Sequence, residues 1–277
     1  MSNLDKKVNK ILKEINKDAD LKNELQTEID PSIRFRRNSV NILIGKRGSG
    51  KTYNTFRELL KLQFIKNHNY SKILYVSDKS GANTFDRLTK ELLIPVETIT
   101  YDDIKDEIIE ISYAKAAMQE MKDKGISTEA LAEDAKENIE NLLGESIDDM
   151  KSAYHTAIIL DDAMNLFATK TTENKNLIKK FFENRQANIT YFIILQDAKG
   201  IDTSMKENAD SIWVFGGYSK QKFSYIIRNI PTDETRDELY EKYKNLTRNQ
   251  AIIFNNFIEG NSVVLLNEKY DKPSSVN

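Results

Sequence analysis

The sequence contains no cysteine and only two histidines, His68 and His155. The first absence excludes disulfides and thiolate-bound metals, and it accords with a reducing compartment. The second leaves too few imidazoles for a histidine-built metal centre, so both read as ordinary surface or packing residues. Nor is there an excess of one charge. Forty-one basic residues face 43 acidic ones, a formal net charge of −2, so composition carries no global nucleic-acid signature. No apolar stretch approaches the ~18 residues of a membrane span. The N-terminus is charged from Asp5 onward and has no signal-peptide pattern. The expectation is a soluble, intracellular protein. Of its 277 residues, 39% are hydrophobic, enough for a real core.

What is there begins with ILIGKRGSGKT, residues 42–52. An apolar run from Val40 to Ile44, broken only by Asn41, meets a glycine-rich turn ending in Lys51-Thr52. The spacing is that of the phosphate-cradling loop. Gly45, Gly48 and Gly50 let backbone N–H groups turn inward around a phosphate, with Ser49 inside the same cradle. A helix opening at Lys51 aims its positive end at the anion. Lys51 supplies a point charge at the β and γ oxygens, and the Thr52 hydroxyl is placed to hold Mg²⁺. The apolar stripe that follows (Tyr53, Phe56, Leu59, Leu60) supplies the helix this motif requires. ATP with Mg²⁺ is the expected ligand pair.

Around this loop the chain alternates strands and helices. Expected strands are 40–44, 72–77, 96–100, 156–161 and 189–196, with helices at 51–66 and 173–186. That alternation predicts a three-layer α/β phosphate-loop NTPase core around a mainly parallel sheet. Segments 211–216, 223–229, 251–255 and 262–267 look like antiparallel strands added at the sheet edge, the last two joined by a turn over 257–261. Residues 1–31 form a separate N-terminal helical arm, a packing helix or a docking one, ended by Asp30-Pro31. The ATPase domain then spans 32–277. Within it, 101–152 read as a helical insertion interrupted at Gly125, with a second start at Ser127. The insertion carries 15 acidic and 6 basic residues, a net charge of −9, which leaves +7 for the rest. Its charge marks either solvated helix faces or a regulatory or subunit-contact module.

A phosphate loop needs an acid from a neighbouring strand, and AIILDDAM (157–164) provides two. Asp161, at the strand end, is placed to hold Mg²⁺ with Thr52. Asp162 is placed to polarise an attacking water. The strand at 189–196 closes on Gln196, an amide at the sheet edge where ligands of open α/β folds bind; it can contact the γ-phosphate and the water. Arg185 precedes that strand and so belongs to the opposite end of the sheet. There it is a poor ligand for its own nucleotide and a good one for a neighbour's, as an arginine finger in a ring.

This order of motifs resembles the HerA–FtsK superfamily of DNA-pumping ATPases over about residues 38–267. The carrying residues are Gly45–Thr52, Asp161-Asp162, Asn184-Arg185 and the strand closing on Gln196. Within that superfamily the segment from Asn184 to Gln196 and the compact length resemble the genome-packaging ATPases of large double-stranded DNA viruses and their small-virus relatives. More distantly, the chain is similar to packaging motors of small podophages. The resemblance implies Lys51 and Thr52 on phosphate and Mg²⁺, Asp161 on Mg²⁺, Asp162 activating water, Gln196 sensing the γ-phosphate and Arg185 acting in trans. It further implies a homo-oligomeric ring, pentamer or hexamer, acting on double-stranded DNA with a capsid or portal protein in the host cytoplasm. Asp197, the acidic insertion and the N-terminal helix depart from the pattern.

A DNA motor must grip phosphates. Arg34, Arg36 and Arg37 precede the first strand, and YSKQKFSYIIR (218–228) interleaves Lys220, Lys222 and Arg228 with Tyr218, Phe223 and Tyr225. The alternative for that stretch is an edge hairpin with ordinary alternation. Two other functional classes stand beside the packaging motor. One is a conjugation, segregation or partner-remodelling ATPase; the other is a nucleotide switch or small-molecule kinase. Against the last, the insertion has none of the arginines a kinase lid would use, and no Asn-Lys-x-Asp guanine-reading motif follows the phosphate loop.

Overall fold

Five consecutive buried residues, Val40–Ile44, form β1 near the middle of an eight-stranded sheet. A strand buried on both faces must be covered on both, and the computed structural model of the chain shows both covers. It describes residues 35, 38–62, 70–77, 92, 94–144, 155–168, 172–182, 188–199, 201, 203–256 and 262–266. The N-terminal arm, Arg34, Arg36, Arg37, Arg185 and the 257–261 turn lie outside that set.

The remaining strands are β2 (Lys72–Val76), β3 (Val96–Ile99), β4 (Thr156–Leu160), β5 (Ile189–Leu195), β6 (Ser211–Phe215), β7 (Ala251–Asn255) and β8 (Ser262–Leu266). The sheet order is β3-β2-β4-β5-β1-β6-β7-β8. The first six run parallel, and β7 and β8 are antiparallel additions. The expected α/β architecture is therefore present. Two details differ. β6, expected among the antiparallel strands at the edge, runs parallel beside β1 and is buried along its whole length, as an inner parallel strand should be. β4, which the two acids follow, is not next to β1, because β5 lies between them.

Alternate residues of each strand feed opposite layers. On one face α1 (Lys51–Leu62) packs Phe56 and Leu59 with Leu43, Tyr75, Phe192 and Trp213. This helix crosses the sheet, since Phe56 on it meets Tyr75 of β2 with ring centroids 6.1 Å apart. On the other face lie α2 (Ile104–Lys124), α4 (Met164–Ala168), α5 (Thr172–Phe182), α6 (Thr203–Asn208), α7 (Lys220–Ile226) and α8 (Arg236–Tyr243). Between α2 and α4 in sequence comes α3 (Glu133–Leu143).

The expected acidic insertion is only partly peripheral. Ile104, Ile108 and Ile111 of α2 recur at helical spacing and are buried in the main core. Farther along, Ala114 and Met118 join Leu143 of α3 in a small cluster of their own. Gly125 ends α2 at φ 64°, and the second helix starts at Glu133, after a short 3₁₀ turn capped by Ser127.

The segment expected as a strand at 223–229, or as a hairpin over 218–228, is instead the helix α7. Ser219 caps it, its hydroxyl accepting from the Lys222 N–H. In a strand Phe223, Tyr225 and Ile227 would share a face. Here Phe223 and Ile226 are fully buried while Tyr225 is 49% exposed, which is helical spacing. Each full burial is worth about 1.5–3 kcal/mol, against a β-propensity scale that spans only ~1 kcal/mol. Tertiary packing therefore outweighs the β-branched character of the stretch.

Candidate active site

The loop after β1 starts at the carboxyl edge of the sheet, where Gly45 N–H donates to Leu195 O at 3.1 Å. Gly48 and Gly50 both take positive φ, 74° and 97°. Gly50 has a second constraint, because a Cβ there would sit 2.0 Å from Asn249 Oδ1. Asn249 backs the loop from the turn before β7, donating its N–H to Ser49 O at 2.9 Å. Asn54, one turn into α1, reaches back to Gly50 O at 2.8 Å. The cradle is thus braced from behind by residues that the motif itself does not contain.

Lys51 is buried, and its ammonium donates to Gly45 O at 2.6 Å and Lys46 O at 3.0 Å. Burial pushes its pKa down to about 8, while the charges of Asp161 and Asp162 pull it back up. Thr52 Oγ1 stands 3.3 Å from both carboxylate oxygens of Asp161. The helix start crosses over β5 to reach β4, which is how residues from non-adjacent strands meet.

Asp161 is further held by two tyrosines. Tyr75 Oη donates to its carboxylate, and Tyr101 Oη donates to its carbonyl at 2.8 Å. The Tyr75 phenol is pushed up by burial, then by the Asp161 charge. Neither tyrosine stands out in the sequence. With the sheet order in hand, the β2–β4 register that sets Tyr75 opposite Ile159 would have pointed to one of them.

Asp162 follows with φ 54°, a left-handed conformation that aspartate tolerates better than most residues. Gln196 Nε2 donates to Asp162 Oδ2 at 3.0 Å. The strand-end amide and the second acid, 34 residues apart in the chain, therefore touch. Gln196 O in turn accepts from Tyr218 Oη at 2.6 Å. Lys51, Thr52, Asp161, Asp162 and Gln196 thus assemble at one edge as expected.

Arg185 lies outside the described residues. Its described neighbours along the chain are Phe182, which ends α5, and Asn188, whose carbonyl accepts from Thr156 N–H at the entry edge of the sheet. Of the candidate phosphate grips, Lys220 pairs with Asp237 at 2.9 Å and Lys222 with Asp197 at 2.6 Å. The Arg228 side chain is exposed, Phe223 is buried in the core, and Tyr225 is the exposed aromatic of the segment. Among the described residues no group of three or more His, Asp or Glu could hold a metal, and no helix is long and apolar enough to cross a membrane.

No family profile matches the sequence, and no curated protein matches it. Solved structures do share its fold. One is B204, the DNA-packaging ATPase from Sulfolobus turreted icosahedral virus, with a TM-score of 0.51 at 15% identity over 82% of this chain and 96% of that one. EssC (ATPases 2 and 3) from Geobacillus thermodenitrificans gives 0.52 at 15% identity, over 82% of this chain and 39% of that one. The pCW3 conjugation coupling protein TcpA gives 0.50 at 11% identity, over 82% and 59%. The chain thus shares the mainly parallel α/β fold of these ATPases.

Proposed function

We propose that this chain is an ATP hydrolase that translocates double-stranded DNA as a homo-oligomeric ring, packaging a viral genome into a preformed capsid. The observation that carries the hydrolase reading is the paired contact at the sheet edge, Thr52 with Asp161 and Gln196 with Asp162, beside the buried Lys51. A hydroxyl and a carboxylate side by side form an oxygen donor set suited to Mg²⁺, which would offset charge on the phosphates when bound there. The glycine cradle and Lys51 bind the phosphate chain. Lys51 exchanges its two carbonyl partners for phosphate oxygens. Asp162 accepts a proton from the attacking water once Gln196 turns from it to the γ-phosphate.

The packaging assignment draws on the resemblance carried by Asn184 to Gln196, and B204, a DNA-packaging ATPase, shares the fold. EssC and the conjugation coupling protein TcpA share it too, and they support a second reading, a conjugation or partner-remodelling ATPase on the same core. Arg185 acts in trans within the ring, while Arg34, Arg36, Arg37 and Arg228 contact the duplex, joined by Lys220 and Lys222 once these leave their acidic partners. A capsid or portal protein seats the ring in the host cytoplasm.

The deciding experiment measures ATP hydrolysis with and without linear duplex DNA, alongside mass in solution with ATP. A rate raised by DNA and a mass of five or six subunits is the expected result. A DNA-independent rate from a monomer would remove the motor reading.

A further inference from the structure

Two side chains of one short segment reach the end of β5. Tyr218 Oη donates to Gln196 O at 2.6 Å, and the Lys222 ammonium lies 2.6 Å from both oxygens of Asp197. Gln196 at the same time gives its amide to Asp162. The helix α7 that carries Lys222 is firmly seated. Phe223 stacks on Tyr243 with centroids 4.1 Å apart, and Lys206 donates to Ile226 O, at the helix end, and to Arg228 O just past it, at 2.8 and 3.0 Å. The Lys222–Asp197 pair itself is open, with side chains 34% and 33% exposed. A buried anchor therefore presents a solvent-accessible lysine, and that lysine holds the residue next to the γ-phosphate sensor.

Resting on the DNA-motor reading above, we propose that the Lys222–Asp197 ion pair is a latch that keeps Gln196 against Asp162 until the phosphodiester backbone of duplex DNA takes Lys222. With the latch closed, one acceptor oxygen of Asp162 is filled by the Gln196 amide rather than by water. An ion pair this exposed is a weak tie, and a duplex offers a dense row of phosphates to replace it. Once Lys222 turns to a phosphate, Asp197 loses its counter-charge, and the tie from segment 218–222 to the strand end is left to the Tyr218 hydroxyl. Gln196 can then leave Asp162 for the nucleotide. Asp197, the residue that departs from the superfamily pattern, thereby acquires a role as a positioning residue. The latch makes hydrolysis wait for DNA.

The test compares Asp197→Asn and Lys222→Gln with the unmodified chain, reading the ATPase rate without DNA, its stimulation by duplex DNA and the salt dependence of DNA binding. Asp197→Asn should raise the DNA-free rate severalfold and reduce the stimulation ratio. It should also tighten duplex binding and steepen the log–log salt slope by about 1, because Lys222 is freed for phosphate. Lys222→Gln should raise the DNA-free rate too, but weaken duplex binding. If DNA stimulates the unmodified chain while both variants keep its DNA-free rate, or lower it at an unchanged stimulation ratio, the latch is overturned and the motor reading stands. If DNA leaves the rate of the unmodified chain unchanged, the motor reading has failed and the latch falls with it.

Discussion

Gln196 and Asp162 are joined by a 3.0 Å hydrogen bond from the amide nitrogen to a carboxylate oxygen. The bond ties the end of β5 to the turn after β4. Asp162→Asn should leave nucleotide binding intact, because Lys51, Thr52 and Asp161 are untouched. Turnover should fall by ~10²–10⁴-fold, the usual worth of a positioned general base. Gln196→Ala should lower turnover less, since it leaves the proposed base in place. Binding of a fluorescent ATP analogue and single-turnover hydrolysis separate the two steps. Normal turnover by Asp162→Asn would take this role from the residue.

Lys51 should make nucleotide binding sensitive to pH. Its pKa in the free site is about 8, and a bound phosphate chain raises it. Affinity is therefore fully present below about pH 8 and falls as pH rises through that value, by up to tenfold per unit. Calorimetry at pH 8.5 in buffers of different ionisation enthalpy should record net proton uptake on binding. Lys51→Ala should abolish both the binding and the pH dependence.

The two positive-φ glycines of the cradle should respond differently. Gly48→Ala meets open space and bears only its φ of 74°, whereas Gly50→Ala adds a Cβ 2.0 Å from Asn249 Oδ1 at φ 97°. Backbone strain of this kind costs about 1–3 kcal/mol. Gly50→Ala should lose nucleotide binding and a few degrees of Tm, and Asn249→Gly in the same chain should recover part of the Tm. Equal behaviour of the two single variants would mean that Asn249 does not brace the loop.

Arg185 tests the ring directly. Hydrolysis per subunit should rise with protein concentration. Arg185→Ala should bind ATP normally yet turn over poorly, by ~10³-fold or more. Mixing it with Lys51→Ala should restore part of the activity, as an intact site receives a neighbour's arginine. No rescue, together with a rate per subunit constant across dilution, would remove the trans role.

At the other edge of the sheet, Lys115 of α2 is buried, donating to Thr156 Oγ1 at 2.8 Å and Asn188 O at 3.2 Å. Burial pushes its pKa down to about 7. Between that value and its unfolded pKa near 10.5 the unfolded chain binds more protons, so this contribution makes stability rise with pH across the window. Denaturant melts from pH 6.5 to 9.5 should show the rise, and Lys115→Met should flatten it.

The phosphate loop, the two acids after β4 and the closing amide of β5 were legible because local chemistry specifies them. A glycine cradle and a polar residue ending an apolar strand mean the same thing in any tertiary context. The parallel core was legible for a similar reason, since strands buried on both faces read as unbroken apolar runs. Other features depended on what packs where. Segment 218–228 alternates like a strand, yet Phe223 and Ile226 find a core to fill and make it a helix. The same helix places Lys222 on Asp197, a pairing no spacing rule anticipates across 25 residues. Strand order, with β5 between β1 and β4, is also a global outcome, and it decides that Tyr75 and Gln196 flank the two acids. Residue chemistry near the loop could be read one stretch at a time; contacts between distant stretches exist only once the whole sheet is assembled, because burial and register are properties of the ensemble of strands and not of any one of them.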